Sequence, residues 1–186
     1  SEVAADLLQK YDMVIGVDAD EFIVVDPQTG KSLQSYLSSI SDHYSSISGL
    51  GLDVGQRLDL ESTLDYTQLF LNQRQYALLS SRYTKTSIIT KPVKWGSGFH
   101  RIKNHNYNID PNLYLFHFGS VDLEMVRQRF LDKDRMSTGR GKHIKKRVRT
   151  IDVISKGRIL SDERWLFFAR TVQKIIRPVY ALNKPS

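Results

Sequence analysis

The chain has 186 residues, 40% of them hydrophobic and 25% charged, with a formal net charge of +7 and no cysteine. That length and balance suit one globular domain, or part of a larger one, with enough residues to bury a core. They exclude a disulfide framework and thiolate chemistry, as fits a cytoplasmic setting, and no apolar run approaches the roughly 18 residues that span a bilayer. The start, SEVAADLLQKYD, has neither the basic nor the long apolar part of a secretory signal, and no initiator Met. Charge is uneven. Residues 1–70 hold 12 acids against 3 bases, and residues 71–186 hold 8 acids against 24 bases. Such asymmetry points to an acidic site in one part and an anion-seeking surface in the other.

In chain order, residues 2–11 read as a helix with Val3, Leu7 and Leu8 on one face. Residues 13–17 are a continuous apolar run, the pattern of a central strand covered on both faces. Residues 22–25 are a second extended segment, closed by the turn signal Asp26-Pro27-Gln28-Thr29-Gly30. A helix is expected over 33–40, a strand over 47–54 with Gly49, Gly51 and Gly55 at close-approach or bulge positions, and a helix over 60–71. Strands follow at 88–89, 93–102 and 113–118. Leu123, Val126 and Phe130 mark one face of another helix, whereas 132–158 reads as a basic loop. A last helix starts at Ser161 and stops at Arg177-Pro178. The expected class is α/β, a mixed sheet flanked by helices, without internal repeats.

The stretch MVIGVDADEFIVV breaks an apolar run with Asp18, Asp20 and Glu21. Burying an unpaired carboxylate is costly, so these acids need a cation, a donor or a proton. In extended geometry Asp18 and Asp20, two apart, project from one face at a strand end, where ligands gather in open α/β sheets. Oxygen ligands at an open site suit Mg²⁺ or Mn²⁺. The plainer reading is that the acids cap the following turn or pair with lysines.

DADEF after an apolar strand resembles the DxD signature of nucleotide-sugar glycosyltransferases of the GT-A fold. It is similar, more specifically, to a bacterial family-2-like group with a D-x-D-E-F core. GLDVG (51–55), QRQY (73–76), KPVKWGSGFHRI (91–102) and LYLFHF (113–118) resemble that group in the same order, so the likeness covers roughly residues 10–120. It implies a Rossmann-related fold and a divalent metal holding the donor's diphosphate. Asp20 is then a direct ligand, Asp18 lies towards the ribose or the metal, and His117 completes the metal site. His100, after the loop Gly96-Ser97-Gly98-Phe99, becomes a candidate contact to the sugar; alone it reads as a surface histidine. A GT-A domain builds its nucleotide pocket before the DxD strand. Here the motif arrives at residue 18, so the expectation is a chain lacking the N-terminal nucleotide-binding strands, completed by a missing half, a partner chain or a homodimer. Residues 1–133 would be the partial catalytic domain and 134–186 a basic segment with a C-terminal amphipathic helix.

Other residues carry weaker signals. Trp95, beside two glycines, could stack on a sugar face, although aromatic strand residues more often belong to the core. Lys91 could neutralise a phosphate or simply be exposed. An inverting transfer needs a carboxylate base; Asp53 in GLDVG ranks first, before Asp65, which with Glu61 equally suits a solvated helix face. If helical, residues 139–151 set Lys142, Lys145, Lys146 and Arg149 against Ile144, Val148 and Ile151, the layout of an interfacial helix at an anionic membrane. A solvated basic loop is the plain alternative.

The expected function is metal-dependent transfer of a sugar from a nucleotide-sugar donor to a glycan or lipid-linked acceptor, by an enzyme peripheral at the inner face of the membrane. A phosphatase of the haloacid dehalogenase type would make Asp18 the nucleophile and Asp20 the acid-base. Phe22 stands where that motif wants a small or β-branched residue, and the adjacent acids downstream are Asp162-Glu163, in an expected helix start. A basic RNA- or membrane-binding module would explain 139–149 but leave DADEF without a purpose. No aromatic is interleaved there to stack on bases, which disfavours nucleic acid.

Overall fold

A computed structural model describes residues 2–95, 102–103, 108–131 and 141–157. His100 and the C-terminal helix expected from Ser161 lie outside the described residues, as does the domain boundary expected at 133. The protein is a mixed α/β chain. Its elements are α1 (Glu2–Leu7), β1 (Val14–Ile15), β2 (Glu21–Val25), α2 (Leu33–Ile40), β3 (Ser46–Gly55), β4 (Ala77–Leu79), β5 (Thr86–Ile89), β6 (Lys94–Trp95), β7 (Ile102–Lys103), β8 (Ile109–Ser120), α3 (Leu123–Leu131) and α4 (Gly141–Lys156). Among the described residues no helix is long and apolar enough to cross a membrane.

Six strands form one sheet in the order β1-β5-β3-β8-β2, with β4 also on β3. The β1–β5, β3–β5 and β2–β8 pairs are antiparallel. β3 and β8 run parallel, because Ser48 N donates to Asn108 O near both starts and Gln56 N, just past β3, donates to Ser120 O, at the end of β8. The sheet is therefore mixed. β3 and the shorter β5 are buried along their whole lengths. The expected central strand at 13–17 is instead an edge strand with two paired residues, and Ile15 and Val17 are exposed. The turn at Asp18–Glu21 takes the chain out of the ladder, and it resumes as β2 on the opposite edge.

The chain divides into two compact units. Among the described residues the first comprises 2–52 and 79–117, and the second 53–78 and 118–157. In the first unit the side chains of Ile88 and Ile89 point to opposite faces, as neighbours on a strand must. Ile88 joins Val25, Tyr36, Leu37, Ile47 and Leu113 in a core closed by α2, whose start Ser32 caps through its hydroxyl at Ser35 N. Ile89 packs with Ala4, Val93 and Ile102, against which Leu8, Val14 and Trp95 also rest. The strand expected over 93–102 is a two-stranded ribbon, Lys94 opposite Lys103 and Trp95 opposite Ile102.

In the second unit α3 and α4 pack through Val126, Ile144 and Ile151, with Leu123 and Val148 at the margin. The basic segment expected as a loop is thus a 16-residue helix, because its aliphatic residues recur at helical spacing and find an apolar partner. The helix expected over 60–71 does not form. The Asp65 carboxylate accepts from both Thr67 N and Thr67 Oγ1, and the Gln73 side chain holds Asp65 N and O. Such side-chain turns compete with helix.

Candidate functional site

The site is built on the turn between β1 and β2. Glu21 N donates to Asp18 O at 3.0 Å, and Asp18 N donates back to Glu21 Oε2 at 3.0 Å. This reciprocal pair folds Asp18 and Asp20 into a turn, where an extended strand end was expected. It leaves the Asp18 side chain 55% exposed and that of Asp20 41% exposed, while Glu21 points inward and is fully covered.

Two side chains reach this turn from the sheet. Lys85, on the approach to β5, is fully buried, with Nζ 2.8 Å from Glu21 Oε2 and 3.3 Å from Asp18 Oδ2. His117, opposite Glu21 in the β2–β8 register, brings Nε2 to 3.5 Å from Asp20 Oδ2. Tyr83 stacks on the His117 imidazole, centroids 3.8 Å apart and planes 14° from parallel, which fixes the ring's tilt. The Tyr83 turn is itself tied to β3. Ser80 N donates to Gly51 O, and Gly51 N donates to Thr84 Oγ1 at 2.9 Å. A Cβ on residue 51 would overlap the backbone of Tyr83 and Thr84, so glycine is required there.

Two of the turn's three carboxylates, Asp18 and Glu21, meet one buried ammonium, and the group carries a formal charge of −2 when the acids are ionised and His117 is neutral. The exposed part of that excess sits on Asp20 and Asp18. Adjacent ligands on an octahedral Mg²⁺ or Mn²⁺ are about 3 Å apart for bonds of 2.0–2.1 Å. The 3.5 Å between Asp20 Oδ2 and His117 Nε2 is close to that spacing and longer than a good charge-assisted hydrogen bond. An oxygen and an imidazole nitrogen, open to solvent on the Asp20 side, fit a divalent cation that keeps positions for water or phosphate.

Of the three metal ligands expected, Asp20 and His117 are together, whereas Asp18 is held by Lys85. Among the described residues no group of three or more His, Asp or Glu side chains is arranged to hold a metal. Asp53 belongs to the second unit, is buried, and accepts from Thr150 Oγ1 at 3.2 Å. Asp65 belongs there too. The Thr67 hydroxyl and N–H hold its carboxyl below the usual range, and it shares no helix face with Glu61, whose carboxylate instead accepts from Arg57 N and Gln75 N. Lys91 lines a groove of about 1100 Å³ formed by residues 8–13, which follow α1, and by α2. Trp95 rests against the Ile89 core, the packing role that aromatic strand residues usually take.

Lys85, Glu21 and Tyr83 are absent from the expected set. The one sequence signal was a lysine in TKTSII, a buried strand's approach, in a chain whose acids need cations. No protein family, curated protein or solved structure matches the chain.

Proposed function

We propose that the chain carries the donor-binding half of a metal-dependent glycosyltransferase site acting on a nucleotide sugar. The observation that carries this reading is the 3.5 Å approach of Asp20 Oδ2 to His117 Nε2, from two segments almost 100 residues apart. Asp20 and His117 would hold Mn²⁺ or Mg²⁺, which when bound neutralises charge on a diphosphate leaving group. Lys85 bridges Glu21 and Asp18, so these two carboxylates of the turn are held by the protein's own cation, and Asp20, 41% exposed, is the acid set beside His117. Tyr83 keeps the imidazole in one plane, so little reorganisation is needed when a cation binds. Asp18, more than half exposed, is free on its outer side to accept from a donor hydroxyl. The GT-A resemblance of DADEF and LYLFHF supports the same assignment. Asp53 and Asp65 fall in the second unit and His100 outside the described residues, so the reading concerns the donor and leaves the base unassigned.

The test is a screen of nucleotide sugars for Mn²⁺-dependent release of the nucleoside diphosphate, with and without glycan or lipid-linked acceptors. The reading expects turnover that disappears in Asp20→Ala and His117→Ala. Release of phosphate from simple esters, with nucleotide sugars untouched, would instead point to the phosphatase chemistry of a D-x-D loop.

A further inference from the structure

The exposed face of α4 displays four cations that the fold does not use. Lys142, Lys145, Lys146 and Arg149 are all exposed, at i, i+3, i+4 and i+7. No described acid pairs with any of them, since the one acid of α4, Asp152, is engaged by Lys156 at 2.6 Å. The opposite face is spent on packing, with Ile144, Ile151 and Ile154 buried. This separates α4 from an inserting amphipathic helix, because its apolar stripe is already covered.

The arrangement is locally unfavourable. Like charges three and four apart repel, and the first turn of α4 contains no acid, although a helix's positive end favours one. An anionic surface would offset both effects. α4 contains no Asn, Gln, Trp, Tyr or Phe, so it lacks the amides that read adenine, and His143 is its single ring able to stack on a base. Val153, at i+4 from Arg149, adds an exposed aliphatic group to the same face. Phosphate and carboxylate headgroups, which require charge but no base reading, match these features.

We infer that the outer face of α4 docks the protein on an anionic lipid bilayer, by charge and without insertion of the helix. The inference is independent of the donor site, which lies in the other unit, so the two can fail separately.

Each basic residue near such a surface strengthens association about fivefold. The full chain should sediment with vesicles containing phosphatidylserine, not with pure phosphatidylcholine, and less as salt rises. Replacing Lys142, Lys145, Lys146 and Arg149 together by Gln should weaken sedimentation several-hundred-fold by the same arithmetic, roughly, with the circular dichroism melt no lower than the parent's, since the repulsion is relieved. Replacing the three lysines by Arg should preserve it. Failure of the parent to sediment with anionic vesicles would overturn the inference, as would equal binding by the Gln variant. Tighter binding of a duplex oligonucleotide than of anionic vesicles at the same salt would overturn it in favour of nucleic acid.

Discussion

Lys85 Nζ lies 2.8 Å from Glu21 Oε2, and both side chains are fully shielded from solvent. The pair ties the acidic turn to the approach to β5. Removing one partner leaves the other charged and buried, which costs roughly 3–5 kcal/mol, whereas replacing both by apolar residues of similar volume is often neutral. Lys85→Met should therefore lower unfolding free energy in urea by about that amount, and Glu21→Leu with Lys85→Met should recover most of it. A Lys85→Met variant as stable as the parent would mean that the pair does not hold the turn.

Gly51 couples the strand to the site. A methyl group there meets the backbone of Tyr83 and Thr84, which cannot swing aside like a side-chain tip. Gly51→Ala should destabilise by about 1–3 kcal/mol, the usual range for overpacking. It should also displace Tyr83 from the imidazole, visible as a changed His117 ring-proton shift by NMR. Unchanged stability and an unchanged shift would show that β3 has room to yield.

Tyr36 gives a pH dependence with a definite sign. Its hydroxyl is buried, receives a hydrogen bond from Asn112 Nδ2 and donates one to Asp110 Oδ1 at 2.8 Å. Burial first, aided by the Asp110 charge and eased by the Asn112 donor, pushes the phenol from 10.0 up to about 12. A raised folded value means the folded state keeps a proton that the unfolded state has lost. Its contribution is complete below pH 10 and disappears as pH rises to about 12. Alkaline melts should steepen across that window in the parent and flatten in Tyr36→Phe. Parallel curves for the two proteins would contradict the assignment.

Much of the local structure could be read from the residues. Ile47 to Val54 reads as a strand with glycines at close-approach or bulge positions, and it is β3, which the structure buries throughout. The helix expected over 33–40 forms, and the structure shows Ser32 capping it. The failures have physical causes that lie outside the local pattern. Residues 13–17 look central because they are apolar, yet strand order depends on partners that the run does not encode. Residues 60–71 have helical spacing, but Asp65 turns the chain through Thr67. At the site, Asp20 and His117 are legible as candidates from their strand-end positions and the family resemblance. Lys85 is not, since its meeting with Glu21 joins residues 64 apart and arises only when β5 and β2 belong to one sheet.

Tyr83 should behave as a support for His117. Tyr83→Ala removes the ring that holds the imidazole plane, and supporting residues at metal sites are worth roughly 10–100-fold in affinity. Tyr83→Phe keeps the stacked face and should retain parent-like Mn²⁺ affinity. Equal Mn²⁺ binding by the Ala variant would leave the stack a packing contact only.

Calorimetry of Mn²⁺ binding to the parent, Asp20→Ala and His117→Ala, with and without a nucleoside diphosphate, tests the central claim most directly. The geometry at Asp20 and His117 predicts one Mn²⁺ site in the parent, strengthened by the diphosphate. Either substitution should weaken it by at least about tenfold. The same Mn²⁺ affinity in all three proteins, or no binding by the parent in the presence of the diphosphate, would contradict it.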